Sequence, residues 1–135
     1  MLGIKNFDFI TEKVNDFTIG DLKFVTDFKY AIEIDTVSLF DVHNNSKLLI
    51  DFVLIPKGDA PKFKVTIHFK KIGSLNLSAS GTVIQLSGFE ILNITDKGWD
   101  STKYLVRDFE NEDDFKFYCN DIEVTAIEET DLIVG

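Results

Sequence analysis

The cleanest pattern in the chain is FKVTIHFK, in which Phe63, Val65, Ile67 and Phe69 alternate with Lys64, Thr66, His68 and Lys70. A period of two predicts a strand with one buried and one wet face, because successive side chains leave opposite sides of the backbone. Phe28, Tyr30, Ile32 and Ile34 alternate in the same way with Lys29, Ala31, Glu33 and Asp35, after a short strand over residues 22–26. The apolar phase shifts at Val37, Leu39 and Phe40, which predicts a bulge or bend near Thr36. Residues 48–55, broken only by Asp51, are largely apolar on both alternating faces, as expected of a strand in the middle of a sheet.

Turn chemistry separates these runs. Asp41, His43, Asn44, Asn45 and Ser46 form one cluster, Pro56, Gly58 and Pro61 a second, and residues 71–74 a third. Leu75, Leu77 and Ala79 begin another strand, Ser80 and Gly81 turn it, and residues 83–94 continue as a strand kinked at Gly88. Asp96, Lys97 and Gly98 precede Trp99 and introduce a final hairpin, where Phe115, Phe117 and Cys119 point one way. There the phase slips at Asn120 and Asp121, so that Ile122, Val124 and Ala126 continue the buried side, which predicts a bulge. Only Ile4, Phe7, Ile10 and Val14, spaced by three and four, fit a short amphipathic helix. Roughly eight to ten short strands predict one mainly-β domain over residues 1–135. Its architecture is an antiparallel sandwich or a strongly curved, barrel-like sheet with one short N-terminal helix.

Composition strengthens the sheet reading, since Phe occurs 13 times and favours the half-buried surface of a strand. One cysteine excludes an internal disulfide, and the N-terminal residues carry neither a basic leader nor a continuous apolar stretch, so the expected compartment is the cytoplasm. No apolar run nears the roughly 20 residues that span a bilayer as a helix, so no membrane partner is expected. The net charge of −9 removes the basic footprint that drives phosphate-backbone binding, so nucleic acid is not an expected ligand.

Candidate chemistry is sparse. A Cys–His nucleophile would need Cys119 near His68 or His43 with a depressed thiol pKa, whereas Cys119 is in phase with the buried Phe115 and Phe117 and flanked by acids. Two histidines 25 positions apart and one cysteine give no zinc spacing. Carboxylates at 108, 110, 112 and 114 resemble a calcium loop, but Asp113 stands where that loop needs glycine and Cys119 where it needs glutamate. No enzyme activity, metal or cofactor is therefore expected. A carrier reading stays open, in which the strands close around a small apolar ligand and Arg107, with Tyr104 nearby, holds its carboxylate. So does a structural or assembly role through an exposed strand edge.

The charge is unevenly spread. Residues 108–135 carry ten acidic side chains against Lys116 alone, whereas residues 1–107 are balanced at 13 of each sign. Such a segregated field attracts a basic partner, although it also serves solubility. The candidate partner surface is Glu110, Glu112, Asp113 and Asp114 in the turn, with Trp99, Tyr118 and Glu123 around it. The closing segment FKFYCNDIEVTAIEE, preceded by FEILNIT and this acidic turn, resembles small β-rich bacterial proteins similar to immunity proteins of polymorphic toxin systems. Phe117, Cys119, Asp121, Ile122, Glu123 and Val124 carry the likeness, which extends back to Phe63 and covers about half of the chain. An aromatic-His-Asp element expected near the start is absent, since Phe17, Thr18, Ile19, Gly20 and Asp21 hold no histidine. The resemblance implies an intracellular protein that binds and blocks a toxin enzyme, which the acidic surface suits if that enzyme is basic.

Overall fold

In a computed structural model, residues 3–32, 46–57, 61–78, 84–94, 103–110 and 114–131 are described. They form two antiparallel sheets that face each other as a sandwich. The first contains β1 (Leu22–Ile32), β2 (Ser46–Leu54), β3 (Phe63–Lys70), β5 (Ile84–Gln85) and β9 (Asp121–Glu129), in the order β5-β1-β2-β3-β9. The second contains β4 (Gly73–Leu77), β6 (Phe89–Asn93), β7 (Tyr104–Asp108) and β8 (Phe115–Cys119), in the order β4-β8-β7-β6. As its two apolar faces require, β2 occupies the middle of the five-stranded sheet, and β3 buries Phe63, Val65, Ile67 and Phe69 while its polar residues stay half-exposed.

The sheets are joined where strands cross from one to the other. The paired strands β3 and β9 continue across one corner as the paired strands β4 and β8. At that corner Lys71 takes a positive φ of 59°, its N–H donates to the Ser46 carbonyl, and the Asn120 N–H donates to the Lys70 carbonyl. Ser46 is buried there because its hydroxyl accepts from the Ile72 N–H at 2.8 Å and donates to the Ile72 carbonyl at 3.3 Å. On the other side β5 runs into β6 through Leu86, Ser87 and Gly88.

Five phenylalanines close a ring between the layers. Phe52 and Phe69 from one sheet meet Phe89, Phe115 and Phe117 from the other, with successive ring centroids 5.0 to 6.5 Å apart. Three of these contacts are edge-on, an arrangement worth about 0.5–1.5 kcal/mol each beyond the area it buries. The overuse of Phe thus supplies the filling of one core that both sheets share.

Several expectations change. The predicted N-terminal helix is one turn, α1 (Asp8–Thr11), because Lys5 is extended: its N–H donates to the Ile122 carbonyl and its own carbonyl accepts from Val124, both at 2.9 Å. Asn6 then takes a φ of 59°, which an α-helix cannot continue through. The apolar spacing still packs Ile10 and Val14 into the core with Ile4 and Phe7 against it. The two predicted strands over residues 22–35 are, as far as described, one strand whose ladder is shifted between Leu22 and Phe24 and between Val25 and Asp27. Those irregularities change the phase, which is why the sequence reads as two pieces. The kink at Gly88 and the phase slip at Asn120 are not bulges within a strand but passages between sheets. A chain that changes sheets keeps its inward face only by resetting its alternation. The expected bend near Thr36, the turn cluster at residues 41–45 and the turn at residues 96–99 lie outside the described residues.

Candidate functional site

The acidic stretch is a true hairpin. β7 and β8 pair with Tyr104 opposite Cys119, Leu105 opposite Tyr118, Val106 opposite Phe117 and Arg107 opposite Lys116. The turn follows from Phe109 onward. Of its carboxylates, Glu110 and Asp114 are exposed, while Glu112, Asp113 and also Trp99 lie outside the described residues.

Asp108 does not belong to the exposed cluster. It is 1% exposed and follows the inward phase of Tyr104 and Val106. Its Oδ1 accepts from the Gly88 N–H at 2.8 Å and the Glu110 N–H at 3.2 Å, and its Oδ2 accepts from the Ser87 N–H at 3.0 Å. The carboxylate therefore ties the β5–β6 crossing to the base of the hairpin. Its oxygens are engaged by backbone donors of the crossing and of Glu110. Among the described residues no group of three or more His, Cys, Asp or Glu is placed to hold a metal ion.

Phe109, which the charge-centred reading passed over, sits on this base. Its N–H donates to the Gly88 carbonyl at 2.9 Å, and its ring lies where a Cβ on residue 88 would be, so any larger residue at 88 would have to push the ring aside. The ring remains 55% exposed next to Glu110. The signal was available in the alternation, because Leu105 and Arg107 face outward and Phe109 shares their parity.

Tyr118 faces outward and is half-buried, as its phase with Lys116 indicated. Between it and the described turn residues lies the row Asn76, Lys116, Arg107 and Glu90 across the four strands. Lys116 stands over the Tyr118 ring at 6.0 Å, and Arg107 Nε donates to Glu90 Oε1 at 2.6 Å. Four residues of strand put Tyr118 roughly 13 Å from Asp114. Glu123 is farther removed, because β9 belongs to the other sheet and Glu123 lies on that sheet's outer face beside His68. There its Oε2 accepts from Asn6 Nδ2 at 3.3 Å. The described candidate partner residues thus divide between the hairpin turn (Glu110, Asp114), the outer face of one sheet (Tyr118) and the outer face of the other (Glu123).

The chemical alternatives are likewise separated. Cys119 is fully buried between the sheets, and burial first, then the nearby Asp121 carboxylate, pushes its thiol up to about 12. His68 lies on the outer face of the opposite sheet, so the two cannot meet; His43 lies outside the described residues. Tyr104 is buried with its hydroxyl near Gly3, whereas Arg107 faces outward onto Glu90, so the two do not form a shared carboxylate cage. No helix among the described residues is long and apolar enough to cross a membrane. Comparison with family models, with curated proteins and with solved structures gives no match.

Proposed function

We propose that the chain is a non-catalytic protein-binding module, most concretely an immunity-type inhibitor that meets a basic toxin enzyme with its acidic hairpin tip. One observation supports this most. The buried Asp108 carboxylate pins the hairpin base, and Phe109, Glu110 and Asp114 stand exposed on that base. A base held in place before encounter loses little freedom on binding, and it offers an aromatic anchor, Phe109, beside charges that steer a cationic surface. Glu123, on the outer face of the other sheet, adds to the overall field rather than to this contact, and Tyr118 stands apart from it on the outer face of its own sheet. The phenylalanine ring weighs against the carrier alternative, because the side chains of the two sheets already occupy the space an apolar ligand would need at that level. The test is affinity capture from a lysate of the source cells at low and high salt, with mass spectrometry of what elutes. A single basic protein released as salt screens the contact supports the reading. A co-purifying lipid with no protein opposes it.

A further inference from the structure

Exposed large apolar side chains concentrate on one strand, where Phe28, Tyr30 and Ile32 are 41%, 42% and 67% exposed. All three face inward, since they pair with Ile50, Leu48 and Ser46, which are buried on the inner side of β2. Among the described residues the edge of the strand is open as well. β5 pairs only with Phe24 and Val25, and no other strand among the described residues pairs with the outer side of β1.

The direction of its backbone groups can be worked out. The Leu86 N–H donates to the Lys23 carbonyl, and the regular register that follows turns the N–H and C=O of Val25 toward β5. In a chain of L-residues the face of a side chain fixes the edge to which its own backbone groups turn. Inward-facing Phe28, Tyr30 and Ile32, like inward-facing Val25, therefore direct donors and acceptors away from β2. An apolar strip and a hydrogen-bonding edge that no described strand uses coincide, which is the surface that strand addition uses.

We infer that this edge binds a second copy of the chain, β1 against β1 in antiparallel register about a two-fold axis through Phe28. The flanking charges select both occupant and register. Asp27 and Lys29 are exposed on the outer face, one residue to either side of Phe28. Antiparallel pairing with Phe28 opposite its twin places Asp27 of each copy opposite Lys29 of the other, giving two attractive cross-strand pairs. Sliding the copies so that Phe28 meets Tyr30 instead sets Lys29 against Lys29, a repulsive pair. Two-fold symmetry makes one strand its own complement, so no further surface is needed. β5 and the irregularity after Val25 limit the ladder to residues 26–30, so the dimer is a concentration-dependent one.

The test is sedimentation velocity of the full chain over a wide concentration series, with circular dichroism to confirm that each variant keeps its sheet content. The wild type should pass from monomer to dimer. Asp27→Lys and Lys29→Asp should each weaken the dimer roughly tenfold, because two attractive pairs become two repulsive ones. Mixing the two variants should restore wild-type affinity as a heterodimer, since each then supplies the charges the other lacks. A wild type that stays monomeric throughout leaves the edge to some other occupant and overturns the inference. Charge reversals without effect, or a mixture that fails to recover, overturn the register.

Discussion

Tyr30 and Leu48 face each other across the β1–β2 ladder on the same side of the sheet, yet Leu48 is fully buried while Tyr30 is 42% exposed. The second sheet and the corner it shares with β3 cover β2 but leave the second half of β1 uncovered. Paired positions with the same inward orientation therefore carry very different energies. Leu48→Ala should cost about 2–5 kcal/mol, as core truncations do. Tyr30→Ser should cost less than about 1 kcal/mol in dilute solution, because little packing is lost. Chemical denaturation of both variants at low protein concentration checks this, and equal costs would mean that the strand is covered.

Asp108 and Glu110 look alike in the sequence but have opposite roles. Asp108→Ala leaves the Ser87, Gly88 and Glu110 N–H groups without their acceptor in a part-buried setting. Each orphaned donor costs about 1–3 kcal/mol, so a loss of several kcal/mol is expected. Glu110→Ala and Asp114→Ala should stay within about 0.5 kcal/mol of wild type. Thermal unfolding of the three variants separates a structural carboxylate from surface ones.

Cys119 carries a pH dependence. Its thiol stays protonated in the folded chain up to about 12, whereas the ordinary value is 9.0. Between these values the unfolded chain releases a proton that the folded chain keeps. The stability contributed by the neutral buried thiol is thus complete below about 9 and is lost as pH rises through 12, by at most about 4 kcal/mol. Cys119→Ala lacks this term, so the stability difference between wild type and variant should shrink as pH is raised through that window. Urea titrations at a series of alkaline pH values measure it.

Strand identity was legible where a strand stays in one sheet and keeps its own alternation, as β1, read as two pieces at its ladder shifts, does not. β3 shows this plainly, because the alternation of Phe63 to Phe69 follows burial, and so does the inward face of β2, Leu48, Ile50, Phe52 and Leu54. Passages between sheets were not legible, because Gly88 and Asn120 break the phase just as a bulge does, and only pairing partners tell the two apart. Inward orientation of Phe28, Tyr30 and Ile32 was also readable, but their exposure depends on how far the other sheet extends, which no local pattern encodes. At the hairpin, charge counting grouped Asp108 with the turn acids and missed Phe109. The parity of β7 assigns both, Asp108 inward with Val106 and Phe109 outward with Arg107.

The most direct measurement of the proposed role is the affinity of the captured basic partner for wild type and for a variant in which Glu110, Glu112, Asp113 and Asp114 are all serine. Binding should weaken at least tenfold at low salt, about 1.4 kcal/mol or more, and the two proteins should converge as salt rises, with unfolding of the variant unchanged. Equal affinities at low salt would contradict the role assigned to the acidic hairpin tip.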